Sequence, residues 1–95
     1  MIDAKKKIKN IILNNLPSGE FKVFLFGSRA IGNNSKWSDY DIGISGKRKL
    51  PISILAKIYN ELEESDIPYK VDLVDFSNVS DKFKKSAMSK INPWN

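Results

Sequence analysis

The chain of 95 residues contains neither cysteine nor histidine. The two absences exclude disulfide frameworks, thiol nucleophiles, the common zinc sites and any Ser-His-Asp triad. No apolar run approaches the roughly 20 residues that a transmembrane helix needs, and the N-terminal residues lack the apolar centre of a secretion signal. We therefore expect a cytoplasmic protein without membrane contacts. Catalysis is left to carboxylates, hydroxyls, lysine, arginine and oxygen-bound metals.

Basic residues outnumber acidic ones, since 16 Lys and Arg against 11 Asp and Glu give a formal net charge of +5. Such a balance favours polyanionic partners, such as nucleotides, nucleic acids or acidic proteins, without choosing among them. The length predicts a single domain over residues 1–95, because chains of this size fold around one core.

Hydrophobic periodicity predicts a small α/β domain with helices packed on a sheet of at least three strands. The predicted helices span residues 2–16, 51–64 and 81–91. The predicted strands span residues 21–26, 39–44 and 69–76. The unbroken apolar run in the first strand is typical of a central strand covered on both faces. After it we predict a short helical turn with Ser28 as N-cap, ending near Gly32, and then a polar loop over residues 33–36.

Asp39 and Asp41 are spaced i and i+2 on a predicted strand, so they project from one face about 6.6 Å apart. Two such charges about 5 Å apart repel by about 3 kcal/mol at an effective dielectric near 20, and a divalent cation removes that repulsion. Asp72 is a lone acid in another strand. If the two strands are neighbours, the three carboxylates can hold two Mg²⁺ ions for in-line displacement at phosphorus.

Gly27 and Ser28 form the second half of this constellation. Glycine at a turn after a strand lets the backbone approach a ligand, and the N–H groups of a following helical turn can bind an anion. The Ser28 hydroxyl can donate a further hydrogen bond. A phosphate cradle shortly before an Asp-x-Asp pair predicts a site for a triphosphate and metal ions.

Each of these residues also has a purely structural interpretation. Asp39 and Asp41 can be a solvated pair on an edge strand, and Asp72 can form a surface ion pair with Lys70 or Lys22. Ser28 can act as an N-cap alone. Asp75 competes with Asp72 for the role of third carboxylate, although it lies on the opposite face of a regular strand. Trp37 can stack on a nucleotide base or pack the loop. Trp94 can dock on this chain or on a partner.

The segments Phe26-Gly27-Ser28-Arg29-Ala30 and Ser38-Asp39-Tyr40-Asp41-Ile42 resemble the signature of the polymerase-β-like nucleotidyltransferase superfamily. They are most similar to its minimal nucleotidyltransferases, small proteins often paired with HEPN-domain partners as toxin–antitoxin modules. The resemblance extends over about residues 2–91 and implies a nucleotidyltransferase fold with a mixed sheet. It implies that Asp39, Asp41 and Asp72 bind the catalytic metals, and that Gly27, Ser28 and Arg29 bind the nucleotide.

The implied activity is transfer of a nucleoside monophosphate, AMP from ATP, to a hydroxyl group on a partner protein with release of pyrophosphate. The acceptor is expected from a HEPN-type helical protein or a second copy of the chain, because only residues 77–95 follow the third strand. An RNA acceptor is a weaker alternative, since no aromatic platform motif is present.

Ile31 departs from the pattern of the superfamily, where many relatives have arginine. Arg29 and Lys36 are the candidates to replace that cation. The departure motivates a rival interpretation, in which the chain is an antitoxin with a weak or inactive site that neutralises its partner by contact.

Overall fold

A computed structural model describes residues 3–32 and 38–95 of the chain. The predicted loop over residues 33–36, with Lys36, and the predictions for Trp37 lie outside the described residues. The helices are α1 (Ala4–Asn15), α2 (Ile52–Glu64) and α3 (Asp81–Ala87). The strands are β1 (Phe21–Phe26), β2 (Tyr40–Gly46), β3 (Val71–Asp75) and β4 (Asn92–Pro93), and a 3₁₀ turn occupies Phe76–Asn78.

The strands form one mixed sheet in the order β3-β2-β1-β4. Strand β1 runs antiparallel to both β2 and β4, whereas β2 and β3 are parallel. A parallel pair needs a crossover connection, which α2 provides. The prediction of a small mixed sheet carrying helices is confirmed, and β4 adds a strand that the sequence patterns did not indicate.

Alternation along the strands gives the sheet two different faces. Helices α1 and α2 cover one face, where the buried core contains Ile8, Ile12, Val23, Leu25, Ile42, Ile44, Ile58, Leu62 and Val71. The other face has a smaller aromatic cluster of Phe24, Phe26 and Phe76, which packs against the segment around α3. Strand β1 contributes to both clusters, so the prediction of a central strand buried on both faces is confirmed.

Local hydrogen bonds set the helix ends. The side chain of Asp3 accepts from the Lys6 amide at 3.2 Å and begins α1, and the Ser80 hydroxyl accepts from the Phe83 amide at 3.2 Å and begins α3. Helix α3 ends at Ala87, four residues before its predicted end, because the chain must turn to bring β4 alongside β1. Within the described residues, no helix is both long and apolar enough to cross a bilayer.

The turn after β1 begins one residue earlier than predicted. The Gly27 carbonyl accepts hydrogen bonds from the amides of Ala30 at 3.1 Å and Ile31 at 3.4 Å. Gly27 therefore occupies the capping position that we assigned to Ser28. The positive φ of Gly27, 76°, explains the difference, because a serine would adopt this backbone conformation only with strain.

Candidate active site

Three aspartates lie on the sheet face that carries α3. In the parallel register of β2 and β3, Asp41 is directly opposite Asp72, and Asp39 is two residues before Asp41 on the same side of the chain. The neighbours Tyr40 and Ile42 point to the opposite face, into the main core. The expectation that β3 lies beside β2 and brings Asp72 to the Asp39/Asp41 face is met by this register.

Asp41 and Asp72 are the partly buried members of this acidic group, while Asp39 is exposed. Burial first, and then the negative charges of Asp72 and Asp39, raise the pKa of the Asp41 carboxyl above its ordinary value. The ammonium group of Lys70 opposes this increase. The three carboxylates therefore interact electrostatically, and Lys70 offsets only part of the effect on Asp41.

The turn that follows β1 packs directly against Asp41. A Cβ atom at Gly27 would lie 3.2 Å from Cγ of Asp41 and still closer to one carboxylate oxygen. Two features disfavour any residue other than glycine at position 27: its φ of 76° and this close contact with Asp41. The backbone of the predicted phosphate cradle and the central carboxylate of the predicted metal site are consequently neighbours.

Aromatic side chains pack on the same face of the sheet as the acidic residues. The ring of Phe76 packs edge-on against the rings of Phe24 and Phe26, at centroid distances of 4.9 and 5.2 Å. A Cβ atom at Gly43, next but one to Asp41, would approach Cε1 of Phe76 to 2.8 Å. Gly43 is a residue that our sequence reasoning missed. A lone glycine within a strand pattern is the available signal, since it often marks close packing.

Arg29 connects the turn to the chain that enters β2. Its Nε donates to the Ser38 carbonyl at 2.9 Å, and its guanidinium lies 4.0 Å from the ring centroid of Tyr40 and 4.9 Å from that of Tyr69. These contacts hold the residue immediately before Asp39. Direct binding of nucleotide by Arg29 stays a prediction.

The two acids of β3 have separate environments. Asp72 faces the site and lies 3.8 Å from the ammonium of Lys70, so the surface ion pair considered from the sequence is also present. Asp75 accepts from the Leu50 amide at 2.7 Å and from the Ser77 amide and hydroxyl at 3.0 and 2.7 Å. Burial raises the pKa of Asp75, but these hydrogen bonds outweigh it and the net pKa is lowered. The Asp75 carboxylate is occupied by hydrogen bonds to Leu50 and Ser77, which supports the choice of Asp72 for the site.

The acidic group fits a divalent cation that shares its coordination with a phosphate. Carboxylate oxygens suit Mg²⁺, which proteins usually hold with one or two carboxylates plus substrate phosphates. Across residues 3–32 and 38–95, no three acidic side chains are gathered closely enough to hold a metal by themselves. The prediction that Asp39, Asp41 and Asp72 share two ions therefore stays a prediction, whereas Asp41 beside Asp72 and the Gly27 backbone suits a cation completed by a ligand.

Comparisons with known proteins show the family and the fold of the chain. The family model described as polymerase β, nucleotidyltransferase, matches residues 6–91. A Haemophilus influenzae protein named "Probable protein adenylyltransferase MntA" is 32% identical over 78 residues, which are 82% of this chain and 67% of that protein.

Solved structures show the same fold. A crystal structure of a toxin–antitoxin with AMP-PNP has a TM-score of 0.74 at 24% identity, covering 99% of this chain and 73% of the other. A structure of a tri-AMPylated Shewanella oneidensis HEPN toxin in complex with an MNT antitoxin has a TM-score of 0.63 at 21% identity, covering 97% and 69%. At these identities the likeness establishes the architecture alone.

Proposed function

This chain belongs to the polymerase β nucleotidyltransferase family, and we propose that it transfers AMP from ATP to a hydroxyl group of a partner protein. The relative from Haemophilus influenzae carries the name of a protein adenylyltransferase, and the similar structures include one with AMP-PNP and one with an AMPylated HEPN toxin. The partner we propose is a HEPN-type helical protein, for which this chain acts as antitoxin. Because the reaction consumes ATP, we assign it to the cytoplasm.

Each site residue has a role in this proposal. Asp39 and Asp41 hold Mg²⁺, and Asp72 completes the set of carboxylates. The backbone of Gly27 and Ser28 binds the β- and γ-phosphates, and Arg29 contributes to nucleotide binding through the turn that it anchors. When bound, two Mg²⁺ ions would supply positive charge to the phosphates and to the reacting oxygens.

The reaction is a single displacement at the α-phosphorus. The acceptor hydroxyl loses its proton towards Asp72 as its oxygen forms a bond to the α-phosphorus. The bond from that phosphorus to the oxygen bridging the β-phosphate breaks, and pyrophosphate leaves with the electron pair. The chain contributes mainly by positioning the reactants, because little covalent chemistry is required of the protein in phosphoryl transfer.

The observation that carries this proposal is the contact between Asp41, the Gly27 backbone and the facing Asp72. A solvated pair of acids would need neither a close-packed glycine turn nor a third acid opposite. A site for a polyphosphate with its metal accounts for all of these features, because a bound cation offsets the mutual repulsion of the acids.

The test is transfer of label from α-labelled ATP, with Mg²⁺, to a co-expressed HEPN-type partner. Asp41→Asn should lower the transfer rate at least about a hundredfold, because it removes a ligand of a metal that stabilises the transition state by several kcal/mol. The matched control is Asp75→Asn, which changes an acid on the other face of β3 and should retain transfer when corrected for the folded fraction. Equal transfer by wild type and Asp41→Asn would refute the proposal.

The contact-only antitoxin is the second candidate, and Ile31 favours it. This side chain is 51% exposed beside Gly27, where it offers no charge to a phosphate. Growth of cells that express the toxin separates the candidates. An antitoxin that acts by contact protects cells equally well with Asp41→Asn, whereas an enzymatic antitoxin loses protection with that substitution.

A further inference from the structure

The side chain of Arg29 contacts residues at the starts of two strands. Arg29 lies in the turn after β1, and its Nε donates to the carbonyl of Ser38, which precedes β2. Its guanidinium lies 4.0 Å from the ring centroid of Tyr40 in β2 and 4.9 Å from that of Tyr69, which precedes β3. The two rings pack edge-on, with their centroids 5.5 Å apart. Arg29, Tyr40 and Tyr69 together form what we call the arginine clamp.

The arginine clamp lies on the face of the sheet opposite to the acidic group. Tyr40 is 7% exposed and belongs to the main core, and Tyr69 packs against that core. Because successive side chains of a strand point to opposite faces, the Tyr40 ring is directed away from Asp39 and Asp41, its two neighbours in the chain. The clamp therefore acts on the acids through the strands that carry both.

A hydrogen bond between β2 and β3 lies within the clamp. The Tyr40 amide donates to the Lys70 carbonyl at 2.9 Å, and Tyr69 is the residue immediately before Lys70. The parallel pairing continues with Asp41 opposite Asp72. Contacts that fix Tyr40 relative to Tyr69 therefore also fix the spacing of the two strands at this pair of carboxylates.

The acidic group needs such a restraint because its members repel one another. The negative charges of Asp72 and Asp39 act on Asp41, and β3 pairs only with β2 in the described sheet. Repulsion at this end of the sheet therefore favours separation of β3 from β2. Mg²⁺ demands near-ideal octahedral geometry, so a site that shares the ion between two strands depends on their spacing.

We propose that the arginine clamp positions Asp41 and Asp72 for a shared divalent cation, by holding the starts of β2 and β3 at a fixed separation. The inference rests on the proposed nucleotidyl transfer and adds Tyr40 and Tyr69 to it as positioning residues. Arg29 then serves the site through the strands, and not through a bond to the nucleotide. A planar guanidinium suits this role, because it packs against aromatic rings while its N–H groups donate to a carbonyl.

The experiment measures the Mg²⁺ concentration that stabilises the full chain half-maximally against thermal unfolding in the presence of AMP-PNP. Arg29→Leu and Tyr69→Leu should each raise this concentration about tenfold, because the carboxylates lose their fixed spacing. The double variant should lose little more than either single variant, because the two residues act as a unit. Tyr69→Phe keeps the ring and should need nearly the wild-type concentration. Arg29→Lys keeps the charge without the planar group, so it should give an intermediate increase and serves where a leucine variant does not fold.

The matched control is Arg48→Leu. The Arg48 guanidinium lies 5.5 Å from the ring centroid of Phe21, at the end of β1 opposite to the Gly27 turn. The control variant removes the same kind of contact from the other end of the strand. It should leave the half-maximal Mg²⁺ concentration unchanged, even where it lowers the melting temperature.

Two results would overturn the inference. A lower melting temperature with an unchanged half-maximal Mg²⁺ concentration in both leucine variants of the clamp would mean that the clamp only stabilises the fold. A loss in Arg29→Leu alone, with Tyr69→Leu equal to the wild type, would mean that Arg29 contacts the nucleotide directly. Either result, together with normal label transfer by the wild type, would leave the proposed function standing. A wild type that Mg²⁺ does not stabilise and that transfers no label would overturn both.

Discussion

Gly27 and Gly19 have nearly the same backbone torsion, with φ values of 76° and 78°, but their surroundings differ. Nothing lies within 4 Å of a Cβ atom built at Gly19, whereas one built at Gly27 meets the Asp41 carboxylate. A substitution by alanine at either position carries the same strain of a left-handed backbone, about 1 kcal/mol. Only the substitution at Gly27 also displaces a carboxylate of the candidate site.

We predict that Gly27→Ala lowers the rate of AMP transfer at least about tenfold and destabilises the fold more than Gly19→Ala does. The physical reason is that the turn or the Asp41 carboxylate must move to remove the overlap with the new Cβ atom, and such misplacement is costly in a positioned site. Label transfer and thermal unfolding of the two variants provide the measurement. If Gly27→Ala and Gly19→Ala lose the same stability and keep full transfer, the contact with Asp41 has no functional importance.

At this scale the sequence predicted the residues whose chemistry is distinctive. Asp39, Asp41 and Gly27 stand out because two charges on one strand face and a glycine after a strand are locally unusual. Gly43 is different, because its contact with Phe76 arises only when the 3₁₀ turn after β3 packs beside β2. Local spacing carries no information about that placement.

At the scale of elements, β4 is the strand on which the β1 edge depends. The Trp94 amide donates to the Val23 carbonyl at 2.8 Å, and the Asn95 side chain bonds to the Val23 amide and the Phe21 carbonyl, both at 2.8 Å. The Trp94 side chain is 4% exposed and joins the main core. Of the two locations considered for Trp94, docking on this chain is the correct one.

We predict that Trp94→Ala destabilises the protein by about 3–5 kcal/mol, the usual loss for a buried large aromatic side chain. A small domain has roughly 5–15 kcal/mol of stability, so this variant should be close to unfolding at 37 °C. The control is Trp94→Phe. The indole Nε1 is buried without a hydrogen-bond partner among the described residues, so phenylalanine removes an unsatisfied donor and should cost much less. Urea unfolding measures both, and equal losses would contradict this account.

Elements with strong local signals were predicted closely, and those that depend on distant pairing were not. Helix α2 begins within one residue of its predicted start, because Pro51 and a regular apolar repeat define it. Strand β4 has two residues, one of them a proline that suits only an edge strand, so no local pattern indicates it. The same pairing shortens α3 relative to its amphipathic pattern, since the chain needs residues to reach β1.

At the scale of the whole molecule, the two faces of the sheet differ in the charged groups that they carry. One face packs α1 and α2 on an apolar core, while the other gathers carboxylates that repel one another. Asp41 and Asp75 illustrate the contrast, because burial and neighbouring charges raise the pKa of the former and hydrogen bonds lower the pKa of the latter. Ionised Asp75 stabilises the fold, and ionised Asp41 destabilises it.

The sign of each effect follows from linkage between protonation and folding. The folded pKa of Asp41 is above its ordinary 3.8, so its contribution to stability is complete below that pH and is lost as pH rises through the folded pKa. The folded pKa of Asp75 is below 3.8, so its contribution is present above that pH and is lost as pH falls through the folded pKa. The two neutral variants should therefore shift stability in opposite directions at pH 7.

We predict that Asp41→Asn raises the melting temperature at pH 7 without metal, and that the gain shrinks as the pH is lowered through the raised pKa of the wild-type carboxyl. Mg²⁺ should stabilise the wild type, because it offsets the repulsion that Asp41 experiences from Asp72 and Asp39, and should stabilise Asp41→Asn less. Asp75→Asn should instead lose about 1–2 kcal/mol at pH 7 while responding to Mg²⁺ as the wild type does. Thermal unfolding between pH 4 and pH 8, with and without Mg²⁺, measures all three proteins. An Asp41→Asn variant that is less stable than the wild type at pH 7 without metal would mean that the fold itself stabilises the ionised carboxylate, and that the acidic group needs no cation.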